Sequence, residues 1–186
     1  LWAVRAGEAT PARLLACPPV LAPGLFCQSG TASLDALVAS RRPALVALEP
    51  LPGGRGAVVW AVLLGADALR VRLWLGDVVV DVPRIDFARH FRGRHLQVWR
   101  GPDLLWRIPA PGDTGPDIDW LAARVAAARG QPAPAGPAEF DPALQAAIRE
   151  LQRAHGLRVD GVPGPATLRT LGAEREDGPA LRRALD

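Results

Sequence analysis

Hydrophobic positions follow a strand-like pattern through the middle of the chain and a helical one towards its C-terminus. Ala44–Leu48 is a continuous apolar run. Residues 57–64 (AVVWAVLL) are apolar on both faces, which predicts a central strand covered on both sides. Residues 69–75 alternate Leu-Arg-Val-Arg-Leu-Trp-Leu, the pattern of a half-buried strand, and 78–82 pair back across a Gly76-Asp77 turn. Further turns are expected at Leu51-Pro52-Gly53-Gly54 and at Gly65-Ala66-Asp67. Two last strands are expected at 95–99 and 104–108, around Gly101-Pro102. Short helices are predicted at 9–16, at 33–40 with Ser29 or Thr31 as cap, and at 86–92 with Phe87 and Phe91 on one face. Helices followed by a mostly antiparallel sheet make an α+β domain.

The clearest helical period lies in residues 140–171, FDPALQAAIRELQRAHGLRVDGVPGPATLRTL. Asp141 is a good N-cap, and Pro142 stands at the first helical position, where its missing N–H costs nothing. Phe140, Leu144, Ile148 and Leu151 fall on one face of the helix. Gly156 is placed as a left-handed C-cap with Leu157 folding back. Asp160-Gly161 is a turn pair, and Gly164-Pro165 starts a second helix carrying Thr167, Leu168 and Leu171. Gly115-Pro116 precedes another helical stretch, 117–129, in which Ile118, Leu121 and Val125 recur at helical spacing and Gly130 is the C-cap.

Composition narrows the function. Apolar residues make up 49% of 186 residues, enough for a core. No run approaches the roughly 20 apolar residues that cross a bilayer. The chain opens without Met or a signal peptide, which reads as a processed fragment with any membrane anchor upstream. Every basic residue except three histidines is Arg, and the net charge is +3. These arginines are scattered, with no basic stripe interleaved with aromatics, so nucleic-acid binding is not expected. The charge suits a weak attraction to anionic wall polymer. Phosphate loops, HExxH and G-x-S-x-G are absent from the sequence, and Glu49, Asp67 and Asp81 read as turn or surface groups. No metal ligand set or cofactor is expected. Cys17 and Cys27 admit three states: a disulfide suited to an oxidising compartment, two buried thiols, or one catalytic thiol.

The pattern LQ–x2–HGL–x2–DG–x2–G–x2–TL, from Leu151 to Leu168, resembles the peptidoglycan-binding domain attached to many bacterial cell-wall enzymes. The resemblance implies a three-helix unit with 117–129 as its first helix. A two-helix hairpin of about 35 residues would be too small to be stable alone. Candidate contacts to peptidoglycan are Gln152, Arg153, His155, Arg158, Asp160 and Thr167. Arg153 or Arg158 would pair with a stem-peptide carboxylate and Asp160 would accept from its amines, while Asp160 and Thr167 also serve the turn and the helix start.

The preceding elements resemble the papain-like cysteine peptidases that trim bacteriocin leaders. That chemistry needs a thiolate, an imidazole and an orienting carboxylate. Here Val59 stands where the strand histidine belongs, and Cys17 is followed by two prolines and has Cys27 as a potential partner. His90 and His95 fall on or beside the short helix rather than on the strand. The carboxylate would be Asp77, in a turn, or Asp81, in a strand. The resemblance therefore implies an inactive relative, with no catalytic residue.

The two domains together, with ACPP…GLFC, RRPALVAL, WRGPDLLWRIP, GDTGPDIDWL and FD…LQRAHGLRVDGVPG, resemble the periplasmic region of the general secretion pathway protein A family of type II secretion. The resemblance implies a peptidase-like domain at 1–109, a peptidoglycan-binding domain at 110–174 and a tail at 175–186. It implies a periplasmic, wall-anchoring role in secretin assembly with a B-type partner, and membrane attachment only through an upstream anchor. Two other readings stay open. One is a wall-targeted cysteine peptidase, which needs a free Cys17. The other is an adaptor binding a partner through Trp60, Trp74, Trp99 and Trp106.

Overall fold

The computed structural model describes residues 10–51, 56–174 and 181. The chain order is α1 (Pro11–Ala16), β1 (Val20–Ala22), β2 (Leu25–Thr31), α2 (Leu34–Ala39), β3 (Ala44–Leu48), β4 (Val59–Ala66), β5 (Arg70–Leu75), β6 (Val78–Pro83), α3 (Arg84–His90), β7 (Phe91–Arg100), α4 (Pro116–Ala128), α5 (Pro142–Ala154) and α6 (Pro165–Thr170). Strands follow the order β1-β2-β7-β3-β4-β5-β6. The architecture is α+β, with β3 antiparallel to β4 and β7, β4 to β5, and β5 to β6. The described residues divide into two units: 28–98 with Leu181 form one, and 10–27 with 99–174 form the other.

In the sheet unit, β4 is the long apolar strand, and Val46, Leu63 and Val71 on adjacent strands lose all solvent contact. Leu37 of α2 and Phe87 of α3 belong to the same core, and Phe87 and Phe91 meet with ring centroids 5.0 Å apart. The cap of α2 is Ser33 rather than Ser29 or Thr31, because Ser33 directly precedes the first helical residue and its Oγ accepts from Ala36 N–H at 3.1 Å. Strand β4 runs on through Ala66, so the turn begins at Asp67, whose Oδ1 accepts from Leu69 and Arg70 N–H at 2.8 and 2.7 Å. Helix α3 starts earlier than the apolar spacing predicts, since Arg84 N–H is already satisfied by Leu69 O.

Two expectations are corrected in the stretch that follows. Residues 91–100 form one long strand, so His95 sits on β7 and not beside the helix. Residues 104–108 form no strand: Leu105 N–H donates to Pro102 O in a turn, its carbonyl accepts from Gly24, and its side chain enters a core. Strand propensity is overridden there by the Gly-Pro turn and by burial of one leucine. Of the expected turn at 51–54, residues 52–54 lie outside the described residues, as does the expected last helical turn at 179–185 apart from Leu181.

In the second unit three helices share one design. Each has Pro at its first position, after Gly115, Asp141 or Gly164. Each ends in a Schellman motif on a left-handed glycine: Gln131 N–H reaches Ala126 O, Leu157 reaches Gln152 O and Ala173 reaches Leu168 O, at 2.9, 2.8 and 3.0 Å. Their inward faces place Ile118, Leu121, Val125, Ile148, Leu151, Leu168 and Leu171 in one core with Phe26, Trp99 and Phe140. Cys17, at the left-handed end of α1, is disulfide-bonded to Cys27 of β2. That selects one of the three states open for the cysteines.

Candidate functional site

The turn between α5 and α6, residues 155–164, is organised by one buried amide. Gln152 on α5 is 1% exposed. Its Oε1 accepts from the N–H groups of Asp160 and Gly161 at 3.0 and 2.9 Å. Its Nε2 donates to Asp160 Oδ1, Val162 O and Thr167 Oγ1 at 3.0, 3.0 and 3.2 Å. Asp160 Oδ1 also accepts from Val162 N–H at 2.8 Å, closing an Asx turn. Side-chain amides present both a donor and an acceptor, so glutamine alone among residues of this length bridges a turn in this way. Thr167 is buried at 3%.

Arg153, His155 and Arg158 are exposed. The expected set thus separates: Gln152, Asp160 and Thr167 build the turn, and the three basic residues face solvent around it. Arg158 is 90% exposed and lies 3.6 Å from Asp160 Oδ2, a weak pair in water. Burial opposes ionisation of Asp160. The Val162 N–H, the Gln152 amide and the Arg158 guanidinium more than offset it, and hold the carboxyl below its ordinary value.

Arg149 is a fourth basic residue at the turn, and the family motif does not signal it. It is half-buried one helical turn before Arg153. Gly161 has φ +76°, and a Cβ there would stand 2.9 Å from Arg149 Cζ. The guanidinium therefore packs directly against the Asp160-Gly161 turn. A neighbouring cation on the same unit is engaged: Arg129 bonds Glu150 at 3.0 Å. Arg124 donates to Gly172 O and lies over Trp120.

The residues of the peptidase comparison are occupied otherwise. The sulfur of Cys17 is bonded to Cys27. Val59 opens β4 and is half exposed. His90 Nδ1 lies 2.8 Å from Glu49 O, and the buried His95 has Nδ1 3.1 Å from Gly93 O. Asp77 is in the β5–β6 turn. Asp81 receives both arms of Arg72 at 2.7 and 2.8 Å, which holds its carboxyl below the ordinary value against the opposing effect of burial. Of the four tryptophans expected for an adaptor surface, Trp99 is a core residue stacked on Phe26 at 4.5 Å. Trp60 and Trp74 are half-buried, and Trp106 is 57% exposed. Among the described residues there is no group of three or more His, Cys, Asp or Glu able to hold a metal ion. None of the described helices is long and apolar enough to cross a membrane.

Residues 114–171 match the family described as "Putative peptidoglycan binding domain". They contain all three helices and the turn held by Gln152. Over 145 residues, 78% of this chain, it is 30% identical to "General secretion pathway protein A" of Aeromonas hydrophila. The chain spans 26% of that relative's length. A periplasmic domain of the EpsAB fusion protein of the Vibrio vulnificus type II secretion system is similar in structure, with TM-score 0.48 and 22% identity, over 90% of this chain and 73% of that one. The N-terminal peptidase C39 like domain of the toxin secretion ATP-binding protein from Vibrio parahaemolyticus aligns with TM-score 0.38 and 20% identity, over 53% of this chain and 90% of that one. The chain is thus similar over most of its length to part of general secretion pathway protein A, and its residues 114–171 match the peptidoglycan-binding family.

Proposed function

We propose that this chain is a non-catalytic, periplasmic wall-binding module of a type II secretion assembly protein. The observation that carries the reading is the coincidence of the family match at 114–171 with a three-helix unit whose turn is held rigid by Gln152 and ringed by Arg153, His155 and Arg158. Peptidoglycan is the ligand. Arg153 or Arg158 pairs with a stem-peptide carboxylate and Asp160 accepts from a peptide amine, while Gln152 and Thr167 hold the turn in shape. The peptidoglycan-binding domain begins near residue 110, within the second unit.

The Cys17–Cys27 bond supports both the absence of catalysis and an oxidising compartment. A disulfide sulfur is not the thiolate a cysteine peptidase requires. In this reading the module anchors its parent protein to the wall and, with a B-type partner, assists secretin assembly.

Arg158→Glu reverses a charge on a residue that packs against little, so the fold should survive it. We expect the variant to be retained by purified sacculi several-fold more weakly than the parent chain, with an unchanged thermal midpoint. Equal retention would remove Arg158 from the site.

A further inference from the structure

The geometry points to Arg149 as a further residue of this domain that recognises a peptide carboxylate, acting beside Arg153. The inference rests on the wall-binding reading and names the chemistry of its site. Arg149 and Arg153 are four residues apart on α5, so both project from one face of the helix. Like charges at that spacing repel, which is tolerated where an anion comes between them. Among the described residues neither guanidinium meets a carboxylate, whereas Glu150, the acid on the same helix, is committed to Arg129. Arg158 at the same turn is 90% exposed and only weakly paired with Asp160.

Burial separates Arg149 from Arg153. Arg149 is half-buried where Arg153 is exposed, and its guanidinium lies close to Gly161; an anion beside a partly shielded cation is held more strongly than one bound in open water. Packing against the turn restricts the side chain before any ligand arrives, so less ordering cost remains to be met on binding. A planar fork held in place suits a carboxylate, which it can grip with two parallel N–H···O bonds. The glycine is part of the device. A side chain at 161 would displace the guanidinium from this place, and would also be strained at φ +76°.

The test is co-sedimentation of the intact chain with sacculi and with the same sacculi after their peptide carboxylates are converted to amides. Three proteins are compared: the parent chain, Arg149→Gln and Arg149→Lys. We expect Arg149→Gln to bind native sacculi about tenfold more weakly, as for loss of a charge-assisted bond. Arg149→Lys should recover only part of the binding, since it keeps the charge and loses the fork. The parent chain should lose at least as much on amidated sacculi, where it and Arg149→Gln should bind alike. Circular dichroism melts of the variants check that each is folded. If the parent chain binds native and amidated sacculi equally, Arg149 is not a carboxylate reader, although wall binding stands. If the parent chain binds neither, the wall-binding reading itself fails.

Discussion

At the scale of single residues, Gln152 carries more of the second unit than its polar character suggests. It accepts two backbone N–H groups and donates to three oxygens from a position without solvent. Leucine would fill a similar volume and leave the Asp160 and Gly161 N–H groups buried without acceptors. Gln152→Leu should therefore cost about 2–4 kcal/mol, read from denaturant unfolding. A cost below about 0.5 kcal/mol would mean that the turn does not depend on this amide.

Asp160 adds a pH term of definite sign. Its folded pKa lies below the ordinary value, so its contribution is complete above the unfolded carboxylate pKa and is lost as pH falls through the depressed one. Asp67, held by the Leu69 and Arg70 N–H groups, and Asp113, held by the Ala110 N–H and Arg107, are displaced the same way. Stability should be flat from neutral pH down to about pH 5 and should fall below about pH 4. Asp160→Asn retains an acceptor for Val162 N–H but has no proton to take up. Melts in acid should show a shallower loss for that variant than for the parent; an identical pH profile would contradict the assignment.

At the scale of elements, the three-helix unit was legible because its punctuation is local. Proline at the first position and glycine after the last are each dictated by the backbone of a single turn, and Pro116, Pro142, Pro165, Gly130 and Gly156 can be read without knowing what packs where. The stretch 104–108 was not legible in this way. Its apolar run has strand propensity, but its conformation is decided by distant partners, Gly24 in hydrogen bonding and the helical core in packing. The candidate site was half legible. The motif LQ–x2–HGL–x2–DG marks the turn, but spacing does not separate the amide that builds it from the cations around it. Arg149 escapes the motif because its role depends on the close approach of Gly161 across the turn. The disulfide belongs to this scale too, since it joins the end of α1 to β2 across a sequence separation of 10. Reduction should lower the stability of the second unit by about 2–3 kcal/mol, seen as a shifted denaturation midpoint with and without reductant. An unshifted midpoint would make the bond incidental.

At the scale of the whole molecule, the sheet unit and the helical unit contribute different arguments. In the sheet unit, both described histidines face backbone carbonyls. The helical unit supplies the disulfide, the family match and the basic turn. Together they favour recognition of the wall over cleavage of a peptide. The most direct measurement is co-sedimentation of the non-reduced, intact chain with purified sacculi over a range of protein concentrations. The account predicts saturable transfer of protein to the pellet, weakened by salt as expected for contacts made by arginines. A chain that stays in the supernatant at every concentration, while still giving a cooperative melt, would contradict it.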